Sequence, residues 1–183
     1  GHYFVLDESS EKGKELTAKL DSETATDEQV KASDARVASA ELGMKRSMNT
    51  AGIKELLYHN HDHPNWTEIA SRCLSCANCT LVCPTCFCHT MEDTTDLTGD
   101  HTERWRRWDS CFSLDYSKVA GGNFRTSPKA RYRQWMTHKL ASWIDQFGTS
   151  GCVGCGRCIS WCPVGIDITK EVEKIRNSPK TKS

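Results

Sequence analysis

The chain contains two copies of one cysteine motif, C-x2-C-x2-C-x3-C-P. The first copy runs from Cys73 to Pro84 and the second from Cys152 to Pro163. In this motif the first three thiolates bind one [4Fe–4S] cube, while the fourth is carried away by the following helix and binds the cube of the other motif. The spacing therefore predicts two clusters with crossed ligands: Cys73, Cys76, Cys79 and Cys162 for the first cluster, and Cys152, Cys155, Cys158 and Cys83 for the second.

Zinc is the alternative metal for clustered cysteines, because pairs of Cys-x-x-Cys build tetrahedral zinc sites. Zinc sites use four ligands, usually as two separated pairs. Three evenly spaced cysteines and a fourth before proline, present twice, favour two iron–sulfur cubes instead.

Full ligation by cysteine leaves no open iron for catalysis, so these clusters predict electron transfer. The sequence contains no G-x-G-x-x-G, phosphate-binding loop, G-x-S-x-G or H-E-x-x-H motif, and no catalytic residue is predicted. We interpret the chain as an electron-transfer component of an oxidoreductase complex without an active site of its own.

Three more cysteines, Cys86, Cys88 and Cys111, lie outside the two ligand sets. One interpretation is that they are buried as small apolar side chains near the clusters. The other is a third metal site, completed by His89, His101 or a residue upstream of this chain. The tract His59 to His63 also contains three histidines, but it lies in a turn, so we do not expect a metal there.

The elements that position the motifs are mostly helices. Residues 11–20, 27–46 and 51–58 have helical composition, and Asn65 is expected to cap a helix that leads to Cys73. Ser127-Pro128 begins a helix that Gly148 ends, and Asp167 caps a last helix. Tyr3–Leu6 predicts a short strand. The predicted fold is mainly α, a dicluster domain with an N-terminal helical extension.

Composition suggests three parts. Residues 1–60 form the helical extension, interpreted as the end of an upstream domain; residues 61–176 form the cluster domain; residues 177–183 form a flexible tail. Within this extension, the stretch from Asp7 to Glu41 has ten acidic residues against five basic ones, which indicates a solvated face or a partner contact.

Charge and hydropathy limit the partners. Lys plus Arg equals Asp plus Glu, at 24 each. Residues 101–140 hold nine Lys or Arg against three Asp or Glu, with tryptophans between them. Such a stretch can bind single-stranded nucleic acid, but positive charge beside anionic clusters explains it better, and we expect no nucleic acid. The cysteines need a reducing compartment, so we expect a cytoplasmic protein without membrane spans.

The strings between the motifs resemble a known family. They are Cys83-Pro-Thr-Cys-Phe-Cys88, Arg107-Trp-Asp-Ser-Cys111, Val119 to Arg125, Arg131-Tyr-Arg133, and Gly151 to Asp167. They are similar to the iron–sulfur subunit that sulfhydrogenases, in which it is the beta subunit, share with anaerobic sulfite reductases. Members are longer at the amino end, which favours the interpretation that this chain is the carboxyl-terminal portion of a longer polypeptide.

The resemblance implies an α-helical ferredoxin domain in a hetero-oligomer. It would relay electrons between a flavin subunit (FAD or FMN) that uses NAD(P)H and a catalytic subunit, either a [NiFe] hydrogenase or a sirohaem sulfite reductase. A structural or sensory iron–sulfur protein, with nucleic-acid binding through residues 101–140, is the alternative. The acidic helical stretch has no counterpart in the family pattern.

Overall fold

The computed structural model describes residues 2–178. Contacts within the chain divide it into two units, with the boundary between Ser47 and Met48. This boundary is earlier than residue 60, because the helix that follows Gly52 belongs to the second unit. The tail predicted for residues 177–183 lies largely outside the described residues, and the division into three parts remains a prediction.

The first unit contains two capped helices. Helix α1 (Glu11–Thr17) begins after Ser10, whose hydroxyl accepts the Gly13 N–H, and α2 (Asp27–Leu42) begins with a capping box formed by Thr26 and Gln29. Neither helix contains a buried residue. The strand predicted for Tyr3–Leu6 is wrong, because that segment pairs with no other strand among the described residues.

The second unit contains seven α-helices, one π-helical segment and two small hairpins within its described residues. In chain order these are α3 (Ile53–His59), α4 (Asn65–Arg72), α5 (Asn78–Leu81), β1 (His89–Thr95), β2 (Thr102–Trp108), β3 (Lys118–Val119), β4 (Gly122–Asn123), α6 (Pro128–Thr137), the π-helical segment (His138–Ser142), α7 (Trp143–Phe147), α8 (Arg157–Ser160) and α9 (Ile168–Asn177).

The hairpins were not part of the mainly α prediction. Strands β1 and β2 pair antiparallel from His89 opposite Trp108 to Thr95 opposite Thr102, and all of β2 is exposed. Their β-branched and aromatic residues suit a strand. The connection between the motifs is therefore a β-ribbon followed by a long helical segment, and the fold is helix-rich with added hairpins.

Helices α4, α6 and α9 enclose the core beside the cysteine motifs. Trp66, Ile69, Met136, Leu140 and Val172 are among its fully buried side chains. The caps predicted for the last two long helical segments are present: Ser127 accepts from the Ala130 N–H, and Asp167 accepts from the Thr169 N–H.

The cap predicted at Asn65 is wrong. The residue before α4 is Pro64, and no side chain caps the helix. The Asn65 amide is buried and donates to Glu171 Oε2 on α9 at 3.0 Å. Asn65 therefore makes a tertiary hydrogen bond in place of the expected local cap. This bond connects α4, which precedes the first motif, to α9, which follows the second.

Candidate metal centre

The two cysteine motifs share a backbone conformation as well as a spacing. The positions two and four residues after the first cysteine are left-handed in both copies, at Ser75 and Ala77 (φ 52° and 64°) and at Gly154 and Gly156 (both 70°). Each loop then enters a short helix, α5 or α8, which places the third cysteine in its first turn. The repeat is therefore structural, and the first copy adopts the left-handed positions without glycine.

The two motifs meet through their short helices. Helix α5 contacts α8, and the Asn78 amide donates to the Trp161 carbonyl at 3.3 Å. One cavity between them is lined by all four cysteines predicted for the first cluster, Cys73, Cys76, Cys79 and Cys162, and by Cys158. The structure therefore brings the fourth cysteine of the second motif to the first motif.

The cavity suits a group rich in hydrogen-bond acceptors. Tyr132 and Trp135 line it, and the Tyr132 Oη and Trp135 Nε1 atoms are buried without a hydrogen-bond partner among the described residues. Burial raises the pKa of Tyr132 well above its ordinary value, so its hydroxyl remains a donor. The sulfides and thiolates of a [4Fe–4S] cluster are acceptors of this kind, and the donor set fits the predicted cofactor.

Electrostatic interactions connect cysteines of the two motifs as well as cysteines within each motif. Burial raises the pKa of Cys73, and the Cys162 thiolate adds to that rise. Burial also raises the pKa of Cys158 to about 11, with further contributions from the Cys152 and Cys83 thiolates. Each fourth cysteine thus lies close enough to the opposite motif to disfavour a second negative charge there.

Backbone donors contact two sulfurs of the first set. The Ser75 N–H points to Cys73 Sγ at 3.4 Å, and the Ile166 N–H points to Cys162 Sγ at 3.2 Å. Hydrogen bonds to the thiolate form stabilise a negative sulfur, which is the form that binds iron.

Cys83 has a more polar environment than the other predicted ligands. A hydrogen bond from the Cys86 thiol, aided by Thr85 and Lys139, lowers the pKa of Cys83 to about 4. The Lys139 ammonium lies 3.2 Å from Cys83 Sγ, and the Thr85 hydroxyl also lies 3.2 Å away. Burial lowers the pKa of Lys139, but the neighbouring sulfurs of Cys86 and Cys83 outweigh burial, and the net shift is upward. Cys83 is therefore a thiolate beside a buried cation.

Cys86, Cys88 and Cys111 line one further cavity, together with His138. A hydrogen bond with Cys111 lowers the pKa of Cys88 to about 6 and raises that of Cys111. His89 and His101, the histidines expected there from sequence, are exposed and belong to the region of the β1–β2 ribbon. Sequence reasoning missed His138, because only the packing of the π-helical segment brings it to these cysteines.

No group of three or more His, Cys, Asp or Glu side chains within residues 2–178 is arranged to hold a metal ion. The histidine tract also contains no such group of side chains. Within it, His63 is buried and its Nδ1 accepts a hydrogen bond from the Asn65 N–H at 3.1 Å. The eight motif cysteines also form no such group, because each thiolate of a cube binds a different iron. The third site therefore remains a prediction.

The part of the chain that the structure describes contains no helix with the length and apolar character needed to cross a bilayer. Its cysteines are all free thiols, without a disulfide between any two of them.

Comparison with known proteins agrees with the cysteine arrangement. The chain is similar to sulfhydrogenase 2 subunit beta of Pyrococcus furiosus, with 38% identity over 133 residues that cover 72% of this chain and 39% of the relative. The chain thus spans well under half of that protein's length. No solved structure is detectably similar to it. Residues 72–166, more than half of the chain, match the family described as 4Fe-4S dicluster domain. This chain is therefore a member of the 4Fe–4S dicluster domain family, whose cofactors are two [4Fe–4S] clusters.

Proposed function

We propose that this chain relays single electrons through two [4Fe–4S] clusters inside a larger redox complex. The observation that carries the proposal is the meeting of the two motifs. Cys162 lines the cavity of the first set, and the Lys139 ammonium contacts both Cys83 Sγ and the carbonyl of Gly151, directly before the second motif. When bound, such clusters accept and release one electron at a time. The residues that would hold them are the eight motif cysteines, in the crossed sets predicted from their spacing.

The protein's own contribution is to hold the two sets close together in an apolar setting. Phe112, Tyr132, Trp135, Ile166 and Ile168 line the cavity of the first set. These side chains exclude water, and exclusion of water strengthens the effect of nearby charges and hydrogen-bond donors on each cluster.

The proposal about partner subunits rests on the similar protein from Pyrococcus furiosus. Sulfhydrogenase 2 subunit beta is by its name one subunit of a larger enzyme, and this supports a hetero-oligomer. We propose a flavin subunit that uses NAD(P)H on one side and a catalytic subunit on the other, with [NiFe] or sirohaem as its centre. Hydride chemistry and terminal catalysis would then belong to those other chains.

The crossed ligand sets can be tested with paired variants. If Cys76 and Cys162 bind the same cluster, the double variant Cys76→Ala/Cys162→Ala should lose about four of eight irons, no more than either single variant. Cys76→Ala/Cys83→Ala should lose about eight, since those residues would serve different clusters. Uncrossed ligands predict the opposite result for the two double variants. Iron and acid-labile sulfide per chain, measured after anaerobic reconstitution, distinguish the two arrangements.

The relay itself requires reducible clusters. We expect two one-electron reductions in an anaerobic potentiometric titration, and co-purification of the native protein with a flavoprotein. A wild-type chain that holds its iron but stays redox-silent would contradict the relay and favour a structural role.

A further inference from the structure

Lys139 is buried beside a predicted cluster ligand. The residue is 4% exposed, and its ammonium has three hydrogen-bond partners: Cys83 Sγ at 3.2 Å, Thr85 Oγ1 at 3.0 Å and the Gly151 carbonyl at 3.3 Å. A buried ammonium is unfavourable unless a negative charge or good acceptors compensate it. The ion pairs found between described residues do not include Lys139. The negative charge beside it is therefore supplied by sulfur and not by a carboxylate.

The π-helical segment holds Lys139 in this position. The Trp143 N–H bonds to the His138 carbonyl, five residues back, and so leaves the Lys139 carbonyl available. The Lys139 carbonyl instead accepts the Gly151 N–H at 2.9 Å. Lys139 thus contacts Gly151 through both its backbone and its side chain, directly before Cys152. Single π-helical turns within α-helices are found frequently at functional sites.

Within residues 2–178, the first set of cysteines has no comparable cation. The donors that the structure shows at Cys73 and Cys162 are backbone N–H groups, of Ser75 and Ile166. No hydrogen bond between described residues joins a Lys or Arg side chain to a sulfur of that set. The two otherwise matching halves therefore differ by one buried positive charge.

We propose that Lys139 makes the cluster of Cys152, Cys155, Cys158 and Cys83 the more easily reduced of the two, so that an electron in transit rests there. Reduction adds one negative charge and needs no proton. A fixed cation at a ligand sulfur, in a site shielded from water, stabilises that added charge. This inference rests on the proposed two-cluster relay, and it gives the relay a direction, from the first cluster to the second.

The test compares Lys139→Met with Lys54→Met in an anaerobic potentiometric titration followed by electron paramagnetic resonance. Lys54 also carries a positive charge, but it pairs with Asp145 at the surface. In Lys139→Met the higher of the two reduction potentials should fall by at least about 59 mV, a tenfold change in the one-electron equilibrium, while the lower potential stays the same. In Lys54→Met neither potential should move. Equal potentials in the two variants, or an equal shift of both clusters in Lys139→Met, would overturn the inference.

A second measurement leaves Lys139 in place, in case Lys139→Met does not retain its second cluster. Cys76→Ala should keep only the second cluster, and Cys155→Ala only the first. The potential of the cluster in Cys76→Ala should be the higher by at least the same tenfold factor. The reverse order would reject the role of Lys139. A failure of the relay itself would look different, because the wild-type chain would then show no reducible cluster.

Discussion

Gly151 precedes the first cysteine of the second motif at a point where the chain has no room for a side chain. A Cβ at this position would lie 2.6 Å from Trp143 Cδ2 and 2.8 Å from the Lys139 carbonyl oxygen. Carbon atoms in contact prefer separations of about 3.5 to 4.0 Å, so Gly151→Ala requires a shift of roughly 1 Å. Neither a backbone carbonyl nor a fused indole ring can yield by simple rotation.

The shift would disturb every contact that holds this residue. The Gly151 N–H donates to the Lys139 carbonyl at 2.9 Å. The Gly151 carbonyl accepts from Thr85 Oγ1 at 2.6 Å and also from Lys139 Nζ. Trp143 is itself held between Phe87 and Phe147, at centroid distances of 5.3 Å and 5.0 Å. Overpacking of this kind costs about 1 to 3 kcal/mol of unfolding free energy. For a chain of this size that lowers the unfolding midpoint by roughly 3 to 9 °C.

The second cluster should suffer more than the first, because Gly151 is adjacent to Cys152. We expect reconstituted Gly151→Ala to hold about four irons per chain instead of about eight. Gly121→Ala is the matched control: no atom lies within 4 Å of its Cβ and its backbone is not left-handed, so its iron content and midpoint should equal those of wild type. Iron content and thermal unfolding under anaerobic conditions measure both effects. If Gly151→Ala matches Gly121→Ala in both assays, the packing of Lys139 and Trp143 does not position the second motif.

Three other results are expected. Glu171→Ala removes a buried carboxylate that accepts hydrogen bonds from Asn65 and Arg72, so it should lower the unfolding free energy by about 2 kcal/mol and the unfolding midpoint by roughly 4 to 8 °C. The control on the same helix is Glu173→Ala, which changes an exposed residue and should shift the midpoint by less than about 2 °C. Equal midpoints in the two variants would contradict this. A triple serine variant of Cys86, Cys88 and Cys111 should lose about four irons if the third site is a cube, and unchanged iron would eliminate that site. Removal of all iron with a chelator should lower the unfolding midpoint of the second unit, since the clusters would bind the folded chain and not the unfolded one. An unchanged transition in calorimetry of the apo protein would refute this.

Local signals in the sequence were sufficient for several features. The cysteine spacing predicted two matching motifs, and their backbone conformations do match, because the motif loops are short and their geometry is largely internal. The ligand sets themselves stay a prediction. Ser127 and Asp167 predicted their helix starts for the same reason: a cap depends on a side chain and a backbone N–H only two or three residues away.

Tertiary packing decided the features that distinguish the two halves of the site. Arg131 is a charged residue of a type that usually lies in solvent, yet it is buried, and its guanidinium donates to the carbonyls of Cys111 and Leu114. In the π-helical segment, which contains both Lys139 and His138, the Lys139 carbonyl accepts the N–H of Gly151, a residue with no periodic relation to that helix. The sequence alone therefore predicts which residues would bind the two clusters, since the spacing within each motif is a local property. The charge beside each cluster depends on segments distant in the chain, and only the folded structure brings those together.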